Sequence, residues 1–193
     1  MILVIDTSSA VSAVALLRPD GSVAGEQTGP SGPGFELANR VRELRQGHPL
    51  SKVAVATGPG SFTGLRVGVS FGLGLAIGSK VAIVPLSTLA LQAARSLEPA
   101  LAVSEAGRGR VYYQAPDQSP GLSEPGELPK DWPAVGWLRP ATRDALLAAG
   151  VRMLEESRLR SFGEAAAITL ETAREVAYDN LKLEYMQSFA SKL

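Results

Sequence analysis

The groups most able to do chemistry in this chain lie in one string, Gly58-Pro59-Gly60-Ser61-Phe62-Thr63-Gly64-Leu65-Arg66-Val67-Gly68. A glycine-rich loop that leads from a strand into a helix points free backbone N–H groups, at the positive end of the helix dipole, toward whatever anion is near. The spacing does not fit the two common phosphate loops. A Walker loop needs a Lys before a Ser or Thr, and the dinucleotide fingerprint needs Gly-x-Gly-x-x-Gly, whereas this loop reads Gly58-x-Gly60-x-x-x-Gly64 without a Lys. A tight strand-to-helix turn capped by Ser61 is the competing reading. Asp6-Thr7-Ser8, a carboxylate followed by two hydroxyls, is the second candidate, and read from the residues alone Asp6 is the polar cap of a strand end. The single histidine, His48, sits in a Gly-His-Pro loop with no acid or second histidine beside it, which reads as surface and builds no Ser-His-Asp triad.

The chemistry that the composition excludes is broad. The 193 residues contain no cysteine and one histidine, so disulfides, Cys or Cys/His zinc sites, a Cys nucleophile and any site needing two histidines are excluded, and no metal site or cofactor is expected. Lys plus Arg and Asp plus Glu both number 19, so no whole-molecule field draws the chain to nucleic acid or anionic membrane. The start, Met1-Ile-Leu-Val-Ile-Asp6, lacks a basic region and reads as a strand and not a signal peptide, which predicts a cytoplasmic protein. The most apolar tract, 67–79, is shorter than the roughly 20 residues that span a bilayer. The terminal Ser191-Lys192-Leu193 matches a peroxisomal address that three residues meet easily by chance.

Periodicity supplies the elements that must position these groups. Strands are predicted at 2–7, 12–17 and 22–28, a helix at 37–45, a strand at 52–57, a helix at 62–78, a strand at 81–84 and a helix at 87–96. That order predicts an α/β sheet with an antiparallel edge and a parallel interior. Beyond Leu101 the composition changes: a hairpin around Gly107-Arg108-Gly109, loop from 116 to 133, a short strand near 135–138, and helices at 142–149 and 163–178. We therefore expect a subdomain over 1–100 and a smaller one over 101–193. Along the 62–78 helix, Gly64, Gly68, Phe71, Leu75 and Gly78 share one face while Leu65, Val69, Leu73 and Ala76 share the opposite one, with Gly72 nearer the latter side. Helix-interior glycines cost about 1 kcal/mol each relative to Ala, so their face is expected to admit a second helix, against Phe35, Leu37 and Val41 of the preceding helix and against a partner. Packing against the chain's own sheet is the alternative.

The whole string Gly58 to Gly68 resembles the hallmark of the TsaB (YeaZ) family. Ile5-Asp6-Thr7-Ser8 is similar to that family's first strand and turn, and Pro85-Leu86-Ser87-Thr88-Leu89 to its segment after the long helix. Glu105-Ala106-Gly107-Arg108-Gly109-Arg110-Val111-Tyr112 is similar to its Asp-Ala-Arg-x-Gly-Glu-Val-Tyr, with Glu for Asp, Gly for Arg and Arg for Glu. The resemblance implies an ASKHA fold, actin/Hsp70-like and ribonuclease H-like, with two βββαβα-type halves, the second reduced. It further implies a non-catalytic subunit that pairs with a TsaD-like catalytic paralogue and a TsaE-like ATPase. Together these transfer a threonylcarbamoyl group to the adenosine at tRNA position 37. The subunit itself would form a homodimer when alone, touch tRNA only through the complex and have no membrane role. Phe35, Leu37, Val41, Gly64, Gly68, Phe71, Gly72 and Leu75 would form its interface, and Asp6, Thr7 and Ser8 a vestigial nucleotide contact. The alternative within the same fold is an ATP-dependent kinase or ATPase. No second hairpin with an acidic residue and glycines is recognised after residue 100, which weighs against that alternative, and a peptidase lacks both a metal site and a triad.

Overall fold

The computed structural model describes residues 1–184. The first run, Ile2-Leu3-Val4-Ile5, is apolar at every position because strand β1 (Ile2–Asp6) lies mid-sheet with both faces covered. Strands β2 (Val11–Leu17) and β3 (Val23–Pro30) follow as an antiparallel meander, and helix α1 (Leu37–Arg45) leads to β4 (Lys52–Gly58), parallel to β1. Helix α2 (Phe62–Ser79) returns the chain to β5 (Ala82–Ser87), parallel to β4, before α3 (Thr88–Arg95). The sheet order is β3-β2-β1-β4-β5. A second sheet repeats the pattern in reduced form. Strands β6 (Leu101–Gly107), β7 (Arg110–Gln114) and β8 (Gly121–Ser123) form a meander, and β9 (Ala134–Val135) lies parallel to β6, giving β8-β7-β6-β9. Each sheet thus has a central strand flanked by an antiparallel neighbour and a parallel one, the two halves of the expected architecture.

Three expectations are corrected. The stretch 116–133 is not all loop, because Leu122 pairs with Tyr112 to make β8, and the strand placed at 135–138 is confined to Ala134–Val135. After α4 (Pro140–Ala148), helix α5 (Phe162–Thr172) begins at a capping box of Ser161 and Glu164 but ends well before Tyr178. Val176 instead pairs with Ile83 on the open edge of β5, and that edge pairing wins over local helix propensity. The chain also does not stay with the second sheet after residue 101. Phe162 and Ala166 of α5 join the core under β2 and β4, and Val176, Leu181 and Leu183 join the core on the other face. Residues 191–193, which carry the peroxisome-like tripeptide, lie outside the described residues.

Helix α2 is the one helix among the described residues long and apolar enough to cross a membrane, and it lies on the sheet. Its glycines explain how. A Cβ on Gly72 would collide with the Val55 Cγ1, one on Gly68 with the Thr7 Oγ1, and one on Gly64 with the Thr7 carbonyl. The buried arc also includes Leu65, Val69 and Ala76, so most of both faces assigned from the helical wheel belongs to one broad contact with the chain's own sheet, and Gly78 alone of the two sets lies on the exposed side. Gly68 and Gly72 are therefore positions where an added side chain strains the fold itself. Gly68→Ala and Gly72→Ala are each expected to lower stability by about 1–3 kcal/mol, the range for an overpacked close contact. Urea unfolding should show the loss equally at high and low protein concentration.

Candidate functional site

The polar centre of the first sheet is the turn after β1. Asp6 is fully buried, and its Oδ1 accepts from the Ser8 N–H at 2.8 Å and from the Ser8 hydroxyl at 2.6 Å. With the Ser8 proton committed to Asp6, the Thr88 hydroxyl at the start of α3 is the donor in the 2.9 Å contact with Ser8 Oγ. Asp6 Oδ2 has no hydrogen-bond partner among the described residues. Burial raises the Asp6 carboxyl above the usual carboxylate range, against the opposing pull of Ser8 and of the Arg95 guanidinium. Beside it the Thr7 hydroxyl donates to the Gly64 carbonyl at 2.6 Å.

The glycine loop closes over this turn. Ser61 N–H donates to the Ser8 carbonyl at 2.7 Å, and a Cβ on Gly60 would stand 2.6 Å from that same oxygen. Ser61 Oγ accepts from Gly64 N–H at 3.3 Å, so Ser61 caps α2 as the sequence suggests. The loop glycines allow the two backbones to touch, with no room for a side chain at Gly60 or Gly64 against the carbonyls of Ser8 and Thr7. Asp6, Thr7 and Ser8 thus tie the first turn to itself, to α3 and to α2, with Asp6 Oδ2 left unpartnered among the described residues.

A second hairpin with an acidic residue does exist, contrary to the sequence reading. Glu105 ends the regular pairing of β6 with β7, ahead of Gly107 and Gly109, in the place that Asp6 holds beside β2. Its conformational cue is the three successive positive φ angles at Gly107, Arg108 and Gly109, for which the two glycines are suited. The carboxylate is already engaged: Glu105 Oε1 accepts from the Arg139 N–H at 2.7 Å and from the Thr142 hydroxyl at 2.9 Å. It thereby pairs the free N–H of the α4 cap residue at the positive end of the helix, and its Oε2 lies 3.3 Å from the Arg139 Nε. A cavity of about 440 Å³ opens beside the first turn, between the starts of α1 and α2, walled by Thr7, Ser9, Phe35, Val67 and Arg139. No cluster of three acidic or histidine side chains among the described residues could hold a metal.

The expected interface residues are placed differently from the reading. Phe35 and Val41 are buried, with Leu37, Phe71 and Leu75 packed on the same core, and Gly64, Gly68 and Gly72 face the sheet. The solvent face of α2 is instead formed by Thr63, Arg66, Val67, Ser70, Gly74, Ile77 and Gly78, with Val67 and Ile77 each 50% exposed. Phe62 joins that face, its ring under the Arg66 guanidinium at 3.8 Å. His48 is exposed in its loop as expected. Arg40 is no free surface cation, because it donates to the Phe35 carbonyl at 2.7 Å and covers the Phe35 ring. A buried group that sequence reading missed is Arg95. Its guanidinium pairs with Glu156, donates to Gln92 at 3.1 Å and stacks on Trp137, whose indole N–H donates to the same Glu156 at 3.2 Å.

The raised Asp6 carboxyl carries a sign. The folded state holds that proton more tightly than the unfolded chain, so the contribution is most favourable at low pH and declines as pH rises from the ordinary carboxyl range through the raised folded value. Asp6→Asn keeps an acceptor for Ser8 without the ionisation. Urea midpoints measured from about pH 4 to 8 should therefore vary less with pH in Asp6→Asn than in the wild type. Asp6→Ala should cost about 1–3 kcal/mol throughout, since the buried Ser8 N–H is left without its acceptor.

Comparison with known proteins connects this arrangement to relatives. The family model for tRNA N6-adenosine threonylcarbamoyltransferase, TsaD, matches residues 46–119, which include the glycine string and the Glu105 hairpin. The tRNA threonylcarbamoyladenosine biosynthesis protein TsaB of Bacillus subtilis is 34% identical over 137 residues, 64% of this chain and 58% of that protein. Its counterpart in Haemophilus influenzae is 34% identical over 146 residues, 66% of this chain and 58% of that protein. These alignments span little more than half the length of the curated relatives. The solved structure of YeaZ from Pseudomonas aeruginosa superimposes with a TM-score of 0.75 at 20% identity, covering 96% of this chain and 99% of that one. A second structure, described as similar to peptidase YeaZ from the same organism, gives 0.76 at 21% identity, with the same coverage of 96% and 99%. The repeated strand order agrees with these likenesses: the chain has the ASKHA-type α/β fold of the YeaZ structures, and part of its sequence is similar to TsaB proteins.

Proposed function

We propose that this protein acts in tRNA threonylcarbamoyladenosine biosynthesis as a cytoplasmic, non-catalytic subunit that holds a TsaD-like catalytic paralogue, with a TsaE-like ATPase as a third member. The observation that carries this reading is the outer face of α2. Val67 and Ile77 are half exposed there, and beyond the helix's own backbone nothing lies within 4 Å of a Cβ built on Gly74 or Gly78. A helix face of small and aliphatic residues leaves backbone close to the surface, which suits the near approach of another helix. In the absence of the paralogue, a second copy of the chain is the expected occupant, giving a homodimer. The full burial of Asp6 and the commitment of the Glu105 carboxylate to the start of α4 support a role without phosphoryl transfer, since a Mg-nucleotide site needs an accessible metal-orienting carboxylate. The balanced charge supports tRNA contact through the assembled complex, because the chain alone offers little counterion release.

The test is substitution on the exposed face. Val67→Glu and Ile77→Glu are each expected to weaken association at least tenfold, about 1.4 kcal/mol, with the melting temperature of the isolated chain little changed. Sedimentation of each variant, alone and with the TsaD-like partner, reads the association. Wild-type sedimentation by both variants would contradict the assignment of this face. Micromolar binding of MgATP to the isolated chain, lost in Asp6→Ala, would favour the kinase reading.

A further inference from the structure

Residues 173–184 take no part in the polar centre or in the α2 face, and they are fastened differently from the rest of the chain. The segment leaves α5 at Ala173 and meets the edge of β5 in antiparallel sense, where the Val176 N–H donates to the Ile83 carbonyl at 3.1 Å. The Tyr178 hydroxyl donates to the Val81 carbonyl at 2.7 Å, just below β5. A single turn at Tyr178–Asn180 sends the chain back to the top of β4, where the Glu184 N–H donates to the Thr57 carbonyl at 2.8 Å. Val176, Leu181 and Leu183 rest on the core that also holds Leu73, Val81 and Ile83. Glu175, Ala177, Asp179, Asn180 and Lys182 face water. The ion pair of Lys52 with Glu175, 2.6 Å long, joins two side chains that are both substantially exposed and adds about 0–1 kcal/mol.

A segment held by a few hydrogen bonds and three half-buried aliphatic side chains opens locally while the sheet beneath it stays folded. Opening leaves an unpaired parallel-sheet edge beside an apolar trough. Such an edge takes up an extended chain through main-chain hydrogen bonds, and the trough selects its side chains. We propose that the trough between the β5 edge and α2 is a peptide-binding groove that the chain's own residues 174–184 occupy as a displaceable strap. Its external ligand is an extended segment of a partner protein. That segment carries aliphatic side chains in the places of Val176, Leu181 and Leu183 and a hydroxylated aromatic in that of Tyr178. The groove lies on the flank of α2 and its function is independent of what pairs with the outer face.

The experiment uses the full chain and a labelled synthetic peptide with the sequence of residues 173–184. The double variant Leu181→Asp/Leu183→Asp loosens the strap and leaves the groove walls unchanged. It should bind the peptide at least about tenfold more tightly than the wild type, whose strap competes, and Val176→Asp in the peptide should abolish that binding. In the wild type, hydrogen exchange at the Val176 and Glu184 amides should run at least about a hundredfold faster than at Val55 and Val84. A folded double variant that ignores the peptide overturns the proposal, as does binding that survives Val176→Asp in the peptide. A double variant that fails to fold also overturns it, because a displaceable strap is not required by the core. Strap amides that exchange only together with the core do the same.

Discussion

The rest of the structure depends on the contact of two backbones, the turn 6–8 and the segment 58–64. Ser61 N–H on the Ser8 carbonyl and the Thr7 hydroxyl on the Gly64 carbonyl fix the two together. That contact sets the height of the first turn of α2 above the sheet. Gly68 and Gly72 continue the same close approach one and two turns further on, over Thr7 and Val55. Where a helix lies this near a sheet, side chains in between are excluded, so the usual entropic cost of helix glycines is accepted in return for packing. The outward face of α2 carries Gly74 and Gly78 beside the half-exposed Val67 and Ile77, with Phe62 and Arg66 at its start.

Around that contact the buried polar groups form two linked sets. Asp6, Ser8 and Thr88 tie β1 to α3, and seven residues along the same helix Arg95 ties α3 to Glu156 and Trp137. Burial lowers the affinity of the Arg95 guanidinium for its proton, and Glu156 first, then Glu26 and Asp6, oppose that effect. A buried cation of this kind is held in place by geometry more than it stabilises the fold. It connects the segment before α5 to the first sheet, and so it helps return the chain from the second half to the first.

Much of this was legible in the sequence because the signals are local. Ser61 and Ser87 announced the caps of α2 and α3, the apolar runs announced β1, β4 and β5, and the Asp6-Thr7-Ser8 turn was placed correctly. The wheel of α2 identified most of its packed positions, but a wheel has no sheet in it, and two arcs centred about 135° apart were read as opposite faces when the sheet reaches both. Glu105 was missed as the counterpart of Asp6 because its equivalence lies in strand order and not in sequence. Arg95 was missed because a single Arg at a helix end looks like any surface cation until Glu156, 61 residues away, arrives beside it. The extended path after Thr172 depends on the vacant edge of β5, which no local pattern reports.

The strap has a consequence for how the chain is made. The five strands of the first sheet are complete at Ser87, but the residues that cover the β5 edge and its apolar flank emerge roughly a hundred residues later. At about 5–20 residues per second the ribosome leaves that edge uncovered for roughly 5–20 s, long compared with the folding time of a small domain. During that interval the nascent chain presents an unpaired strand edge beside bare aliphatic surface, the kind of feature that chaperones bind and that neighbouring nascent chains on one messenger can pair with. The order in which the elements leave the ribosome therefore keeps the β5 edge of an already formed sheet open until residues 173–184 arrive.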